Sequence, residues 1–276
     1  MTEEQIIAIY CFCDDFLKGR GHQDWFNVKM TLAEIMLVYI VATRFFYGNI
    51  ERAYKTLKCG RYISRGLSKG QLNARLHQVE TQIWHDLIRF AYEKRQLLGL
   101  SKEFVVDSFP LSVCRNIRIN RCRIYEGEDF RGYNTSKREY FYGLKVNMVA
   151  TAEGQPFEVV LCPGKYHDID PFKLMHLDLP EGSNFYGDSA YTDYEREEEL
   201  RKRGIRVIIE RKENSCKPHL FEDWQDLKRF RRTIETAFSQ ISAFLPKKIH
   251  AVTDTGFELK VMGFVIALAI NFVFSK

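Results

Sequence analysis

The stretch "SNFYGDSAYTDYEREEELRKRGIRVIIER" (183–211) decides the fold class. "SNFYGDS" (183–189) reads as an apolar strand that stops at Gly187 and Asp188. "DYEREEELRKRG" (193–204) reads as a helix closed by Gly204, because glycine adopts the left-handed conformation that ends helices. "IRVIIER" (205–211) is β-branched and apolar, the composition of a strand. Strand, helix and strand in one short run point to a layered α/β arrangement.

Working outward, the same pattern returns upstream. "EFVVDS" (103–108) is an apolar strand ending on Asp107. "EYFYGLKVNMVATAEGQPFEVVLCPG" (139–164) reads as a hairpin with "AEGQP" as its turn. "DIDPFKLMHLD" (168–178) reads as a short helix with Pro171 in its first turn. "DLKRFRRTIETAFSQISAFL" (226–245) is a long amphipathic helix whose stripe is Leu227, Phe230, Ile234, Ala237, Ile241 and Leu245. A mixed α/β domain with flanking helices is expected from residue 99 to 276.

Residues 1–98 have a different texture and are expected to be all-helical. Capping-box patterns open three segments: Thr2 with Gln5, Thr31 with Glu34, and Ser68 with Gln71. The first helix should end near Gly19. "LAEIMLVYIVATRFF" (32–46) is apolar almost all round, as a central core helix would be. Leu72, Leu76, Val79, Ile83 and Leu87 form one helical stripe. The exposed face near its start carries Lys69, Asn73, Arg75 and Gln78, residue types that contact phosphates and base edges from a recognition helix. An ordinary solvated face has the same composition.

The bulk numbers are those of a globular protein: 276 residues, 45% hydrophobic and 28% charged, with net charge +5. Basic residues are concentrated locally. Residues 201–232 hold 11 Lys/Arg against 5 Asp/Glu, and residues 113–138 hold 7 against 3 with interleaved tyrosines. Such stretches suit a phosphate backbone or a solvated surface alike. The segment 113–138 is expected to be a loop excursion between strands. The seven cysteines include no C-x-x-C pair, so a zinc site of the usual spacing is not expected; most should be small core residues in a reducing compartment. The N-terminus lacks the basic region of a signal peptide. "VMGFVIALAINFVF" (261–274) is too short to span a bilayer and reads as a buried helix of the second domain. No membrane association and a cytoplasmic location are therefore expected.

The chemistry lies in the carboxylates. Asp107 and Asp188 would project from one edge of a sheet if their strands are parallel neighbours, and α/β folds place their sites there. A strand-ending Asp is also a common turn-former. Two such groups suit Mg²⁺, which prefers oxygen ligands and keeps several waters. Glu235, at the margin of the buried stripe of its helix, is the third candidate; a surface ion pair with Arg231 is the alternative.

Together "VVDSFP", "FYGDSAY" and "RFRRTIETAFSQI", in this order, resemble the motifs of DDE transposases of bacterial insertion sequences, and most closely those of insertion sequence family 982. The likeness extends to "YFYGLKVNMVAT", "PGKYHDID" and "SKGQLNARLH", so it covers nearly the whole chain. It implies a ribonuclease H-like catalytic domain (99–276) after a helical DNA-binding domain (1–98). It also implies a triad of Asp107, Asp188 and Glu235 that holds two Mg²⁺ ions, with Mn²⁺ able to substitute. Cleavage at the ends of an element and joining of the 3′-hydroxyl to target DNA would follow, with terminal inverted repeats and target DNA as partners and a homodimer as the working assembly. Arg231, Arg232, Lys145 and His167 would contact DNA near the site, and Lys69, Asn73 and Arg75 would read the ends. Many related transposases carry a Tyr–Arg–Glu–Lys signature; here Lys228 stands in the Tyr position and Ser242 in the Lys position, leaving Arg231 and Glu235 as the matches. Lys247 or Lys248 would replace the missing lysine. Two other readings keep the same residues: a ribonuclease H-like nuclease, and a non-catalytic DNA-binding regulator derived from a transposase.

Overall fold

Each of the three capping boxes forms. The hydroxyls of Thr2, Thr31 and Ser68 accept the amide three residues on, while Gln5, Glu34 and Gln71 accept the amide of the capping residue. Each cap contributes roughly 1 kcal/mol to its helix. The structure is a computed structural model that describes residues 1–96, 102–135, 137–212, 215, 217, 221–246 and 248–274, the side chains of 96, 221, 222, 229 and 231–234 excepted.

The chain forms two compact units, residues 1–93 with 249–276, and residues 94–248. The first unit is helical: α1 (Glu3–Gly19), α2 (Leu32–Phe45), α3 (Ile50–Cys59), α4 (Lys69–His77), most of α5 (Thr81–Gln96), and the last helix of the chain. As its composition requires, α2 is buried from Leu32 to Thr43. Beside α1 and α3, it packs on that last helix, which was expected in the second domain. The reason is apolar area. A helix that is hydrophobic all round must be covered on every side, and the last helix supplies a matching face. Gly263 makes the close approach possible: a Cβ there would lie 2.7 Å from the Tyr39 ring and 2.6 Å from Thr43 Cγ2. The Tyr39 hydroxyl donates to the carbonyl of Leu259.

The last helix is also longer than expected. It runs from Asp254 to Phe274, 21 residues with a mean hydropathy of 1.9, so by length and composition it could cross a bilayer; 56% of its apolar stretch is buried within the unit. The stripe assigned to one helix between Leu72 and Leu87 is divided between two. Helix α4 stops at His77 and α5 starts at Thr81. The buried face of α5 is Trp84, Leu87, Ile88 and Ala91. That face is rotated from the Leu72–Leu76 face of α4, and one straight helix would not bury both.

The second unit is built on a six-stranded mixed sheet. Its elements are β1 (Glu103–Cys114), β2 (Arg131–Asn134), β3 (Glu139–Thr151), β4 (Pro156–Pro163), α6 (Ile169–Leu174), β5 (Asn184–Gly187), α7 (Tyr194–Lys202), β6 (Arg206–Ile209) and α8 (Phe221–Phe244). The final helix of the chain, α9 (Asp254–Phe274), belongs to the first unit. The order is β2-β3-β1-β5-β6, with β4 also on β3. Strands β3 and β1 are antiparallel, whereas β1, β5 and β6 run parallel. The basic excursion 113–138 is not wholly a loop. It contains two short 3-10 turns and then β2, which pairs with the first residues of β3.

Where the parallel strands pair, residues 104–106, 185–187 and 207–209 are apolar and buried, as strands covered on both faces must be. Helix α8 covers one face, with Phe230 stacked on Tyr186 at 4.4 Å between ring centroids and Ala237, Phe238 and Ile241 buried, as is Leu245 just past its end. On another part of the sheet Phe172 of α6 lies 6.0 Å from Phe185. The expectation that most cysteines are core residues is corrected. Among the described cysteines, Cys13 and Cys162 are buried, Cys114 and Cys122 are intermediate, and Cys11 and Cys59 lie on the outer faces of α1 and α3.

Candidate active site

The site follows from strand register. Val106 of β1 pairs with Gly187 of β5, and Gly187 pairs with Ile209 of β6. The next residue on each strand is a carboxylate: Asp107, Asp188 and Glu210. Residues at one level of neighbouring strands point to one face, so the three acids form a row across the end of the parallel strands. Gly187 is required beside this row. A Cβ at that position would lie 2.7 Å from Val106 Cγ1 and 2.8 Å from Ile209 Cδ1.

The row opens into a cavity of about 330 Å³ whose lining includes Asp107, Asp188, Glu210 and, from α8, Glu235. The three acids singled out in the sequence are thus brought into one cavity by β1, β5 and α8. Burial pushes the Asp107 carboxyl up to about 7, and the charges of Asp188, Asp168 and Glu235 push the same way, against the Ser108 amide that stabilises its ionised form. Ser108 N–H donates to Asp107 Oδ1 at 2.7 Å. Asp188 is exposed, and its Oδ1 accepts the amide of Ala190 at 2.9 Å, so it also closes the turn Ser189–Tyr191. The turn-forming reading of this residue is realised, and the same residue lines the cavity.

The remaining sequence-derived candidates have mixed fates. Lys145 lies on β3 and is committed to protein partners: its Nζ donates to the carbonyl of Tyr166 at 2.9 Å and to Asp168 Oδ1 at 3.2 Å. It is a cation beside the site, held by these two partners. His167 is exposed at the neighbouring position. The side chains of Arg231 and Arg232, and Lys247, lie outside the described residues. Lys228, in the position where related proteins carry tyrosine, lines the cavity and stands 3.7 Å over the Trp224 ring, a cation–π geometry. Lys248 is exposed. In the first unit, Lys69 and Asn73 are exposed on α4 and Arg75 is intermediate; Lys69 pairs with Glu51 of α3 at 2.7 Å.

Four contributors were missed. Glu210 ends "IRVII" as Asp107 and Asp188 end their strands, so the same signal was present. Arg211 follows it, lines the cavity, and is held from behind by buried Glu197 of α7, with Nη1 donating to Oε1 at 2.6 Å. Trp224 carries the Lys228 contact. Asp168 is joined to the site only through tertiary contacts with Ser108 and Lys145, which no local pattern reveals.

The donor set is all oxygen and carries several negative charges, the chemistry that suits Mg²⁺. Burial is the main cause of the raised Asp107 carboxyl and its acidic neighbours add to it; a bound cation would favour the ionised form. Among the described residues, no three His, Cys, Asp or Glu groups are gathered into a set that could hold a metal ion. Asp107, Asp188 and Glu235 share a cavity without a closed coordination shell.

No curated protein and no solved structure matches the chain. A family model described as "Transposase DDE domain" matches residues 99–252, which contain β1, β5 and α8 with all three acids. A match over more than half of its length shows that the chain belongs to the DDE transposases, nucleases and transferases that act on DNA.

Proposed function

We propose that the protein cleaves the ends of an insertion sequence and joins the resulting 3′-hydroxyl to target DNA, using Asp107, Asp188 and Glu235. The observation that carries this reading is the convergence of the three acids on one cavity at the end of the parallel strands. The strand arrangement supports a ribonuclease H-like fold: β1 is flanked by antiparallel β3 on one side and parallel β5 and β6 on the other. The motifs favour insertion sequence family 982 within the DDE transposases.

Asp107, Asp188 and Glu235 would hold two Mg²⁺ or Mn²⁺ ions. Such ions, when bound, stabilise the attacking and leaving oxygens of an in-line phosphoryl displacement. The protein's part is positioning. Register fixes Asp107 and Asp188 side by side, and the Ser108 amide holds one Asp107 oxygen. Glu235 faces them from α8. Lys228 supplies positive charge at the cavity wall, where a DNA phosphate would approach. Residues 94–248 would form the catalytic unit. The helical unit would recognise terminal inverted repeats through the exposed face of α4, with Lys69, Asn73 and Arg75, and a homodimer would bring two DNA ends together.

Nicking of supercoiled plasmid in Mg²⁺ or Mn²⁺ tests the reading. Wild-type protein should nick and Asp188→Asn should not, with its fold and DNA binding retained. Undiminished nicking by Asp188→Asn would remove the triad from the chemistry. Joining of a labelled element end to plasmid separates a transposase from a nuclease on the same fold.

A further inference from the structure

Asp107 and Ser108 are consecutive on β1, so their side chains leave on opposite faces of the sheet. Asp107 meets the cavity under α8. Ser108 meets a second polar group behind it. Its hydroxyl donates to Asp168 Oδ1 at 2.8 Å, and the same oxygen accepts from Lys145 Nζ at 3.2 Å. Lys145 is anchored in turn to the Tyr166 carbonyl at 2.9 Å. A line of polar contacts thus runs from the loop before α6 to the backbone that carries Asp107.

Tyr191 completes this group. It ends the turn that begins after Asp188, packs edge-on against Phe172 at 5.6 Å, and is 1% exposed. Its hydroxyl belongs to this group: the Ser108 hydroxyl is its side-chain partner, at a geometry short of a full hydrogen bond, and the carboxylates of Asp168, Asp107 and Asp188 lie around it.

We propose that Ser108, Asp168 and Tyr191 form a positioning cluster for Asp107. This rests on the reading of Asp107, Asp188 and Glu235 as metal ligands. The cluster does not touch DNA or the ion. It holds the Asp107–Ser108 backbone at one depth, so that the Ser108 amide keeps one Asp107 oxygen and leaves the other for the ion. Partners of this kind orient metal ligands, and losing one costs about 10–100-fold in metal affinity.

The test uses the full chain and Mn²⁺ alone, followed by electron paramagnetic resonance titration and by thermal melting. Ser108→Ala and Tyr191→Phe each delete one hydroxyl and no charge. Each should weaken Mn²⁺ binding about tenfold or more, while the metal-free Tm moves by less than about 3 °C. Ser108→Thr, which restores a hydroxyl, should bind Mn²⁺ as the wild type does. Wild-type affinity in either hydroxyl deletion overturns the cluster while leaving the triad in place. No Mn²⁺ binding by the wild type overturns the triad, and the cluster with it.

Discussion

Asp107 and Asp188 stand at the same level of two hydrogen-bonded parallel strands, each one residue beyond the Val106–Gly187 pair. Two carboxylates held this way repel each other, and their position is set by the sheet, not by mutual attraction. Burial of the Asp107 carboxyl, with the charge of Asp188 added, leaves a local electrostatic cost at the site that a cation would reduce.

That cost has a pH signature. Asp107 titrates near 7 in the folded chain, well above its ordinary value, so the folded state holds a proton that the unfolded state has released. Stability from this group is full below the unfolded pKa of about 4 and is lost as pH rises toward 7. Asp107→Asn removes the dependence. Metal-free melting from pH 5 to pH 8 should show the variant gaining on the wild type, by about 2 kcal/mol after allowance for partial exposure. A pH-independent difference would show that Asp107 is not charge-stressed.

Gly187 should tolerate no side chain. Its Cβ would meet Val106 and Ile209 at 2.7 and 2.8 Å, so Gly187→Ala must spread the parallel strands. Overpacking of this kind costs about 1–3 kcal/mol. Urea unfolding measures it, and an unchanged midpoint would contradict the packing described.

Glu197 and Arg211 form a nearly buried ion pair, with side chains 2% and 8% exposed, and Arg201 adds a bond to Glu197 at 3.2 Å. Glu197→Ala would strand the Arg211 charge beside the cavity and should cost about 3–5 kcal/mol. Replacing both residues by methionine should recover most of that loss. A double variant as unstable as the single one would mean that the pair contributes net attraction.

Lys228 should act on DNA through charge alone. Lys228→Gln is expected to weaken binding to unrelated duplexes by similar factors, and to reduce the slope of log affinity against log salt by about 1. Fluorescence anisotropy at several salt concentrations measures both. A loss confined to one sequence would instead indicate base contact.

Much of this arrangement was legible before any coordinates. The capping boxes at Thr2, Thr31 and Ser68 are local, since each joins residues three apart, and each forms as read. The strand ends at Asp107 and Asp188 were marked by an apolar run meeting a carboxylate, and the helix carrying Glu235 by its periodic stripe. Glu210 carries the same strand-end signal, an acid directly after the apolar run "IRVII".

What the sequence by itself determined is the order of the main elements, apart from β2 and the α4–α5 break, with the capped helix starts and the acids on β1, β5 and α8. These depend on neighbours within one or two turns of chain. Only the tertiary structure decided three things: that α9 covers α2, that α4 and α5 break where their buried faces rotate, and that Asp168, Lys145 and Tyr191 stand behind Asp107. Each depends on which apolar or polar surface lies opposite, across tens to hundreds of residues. Pattern along the chain records that a face must be covered, while chain topology settles what covers it.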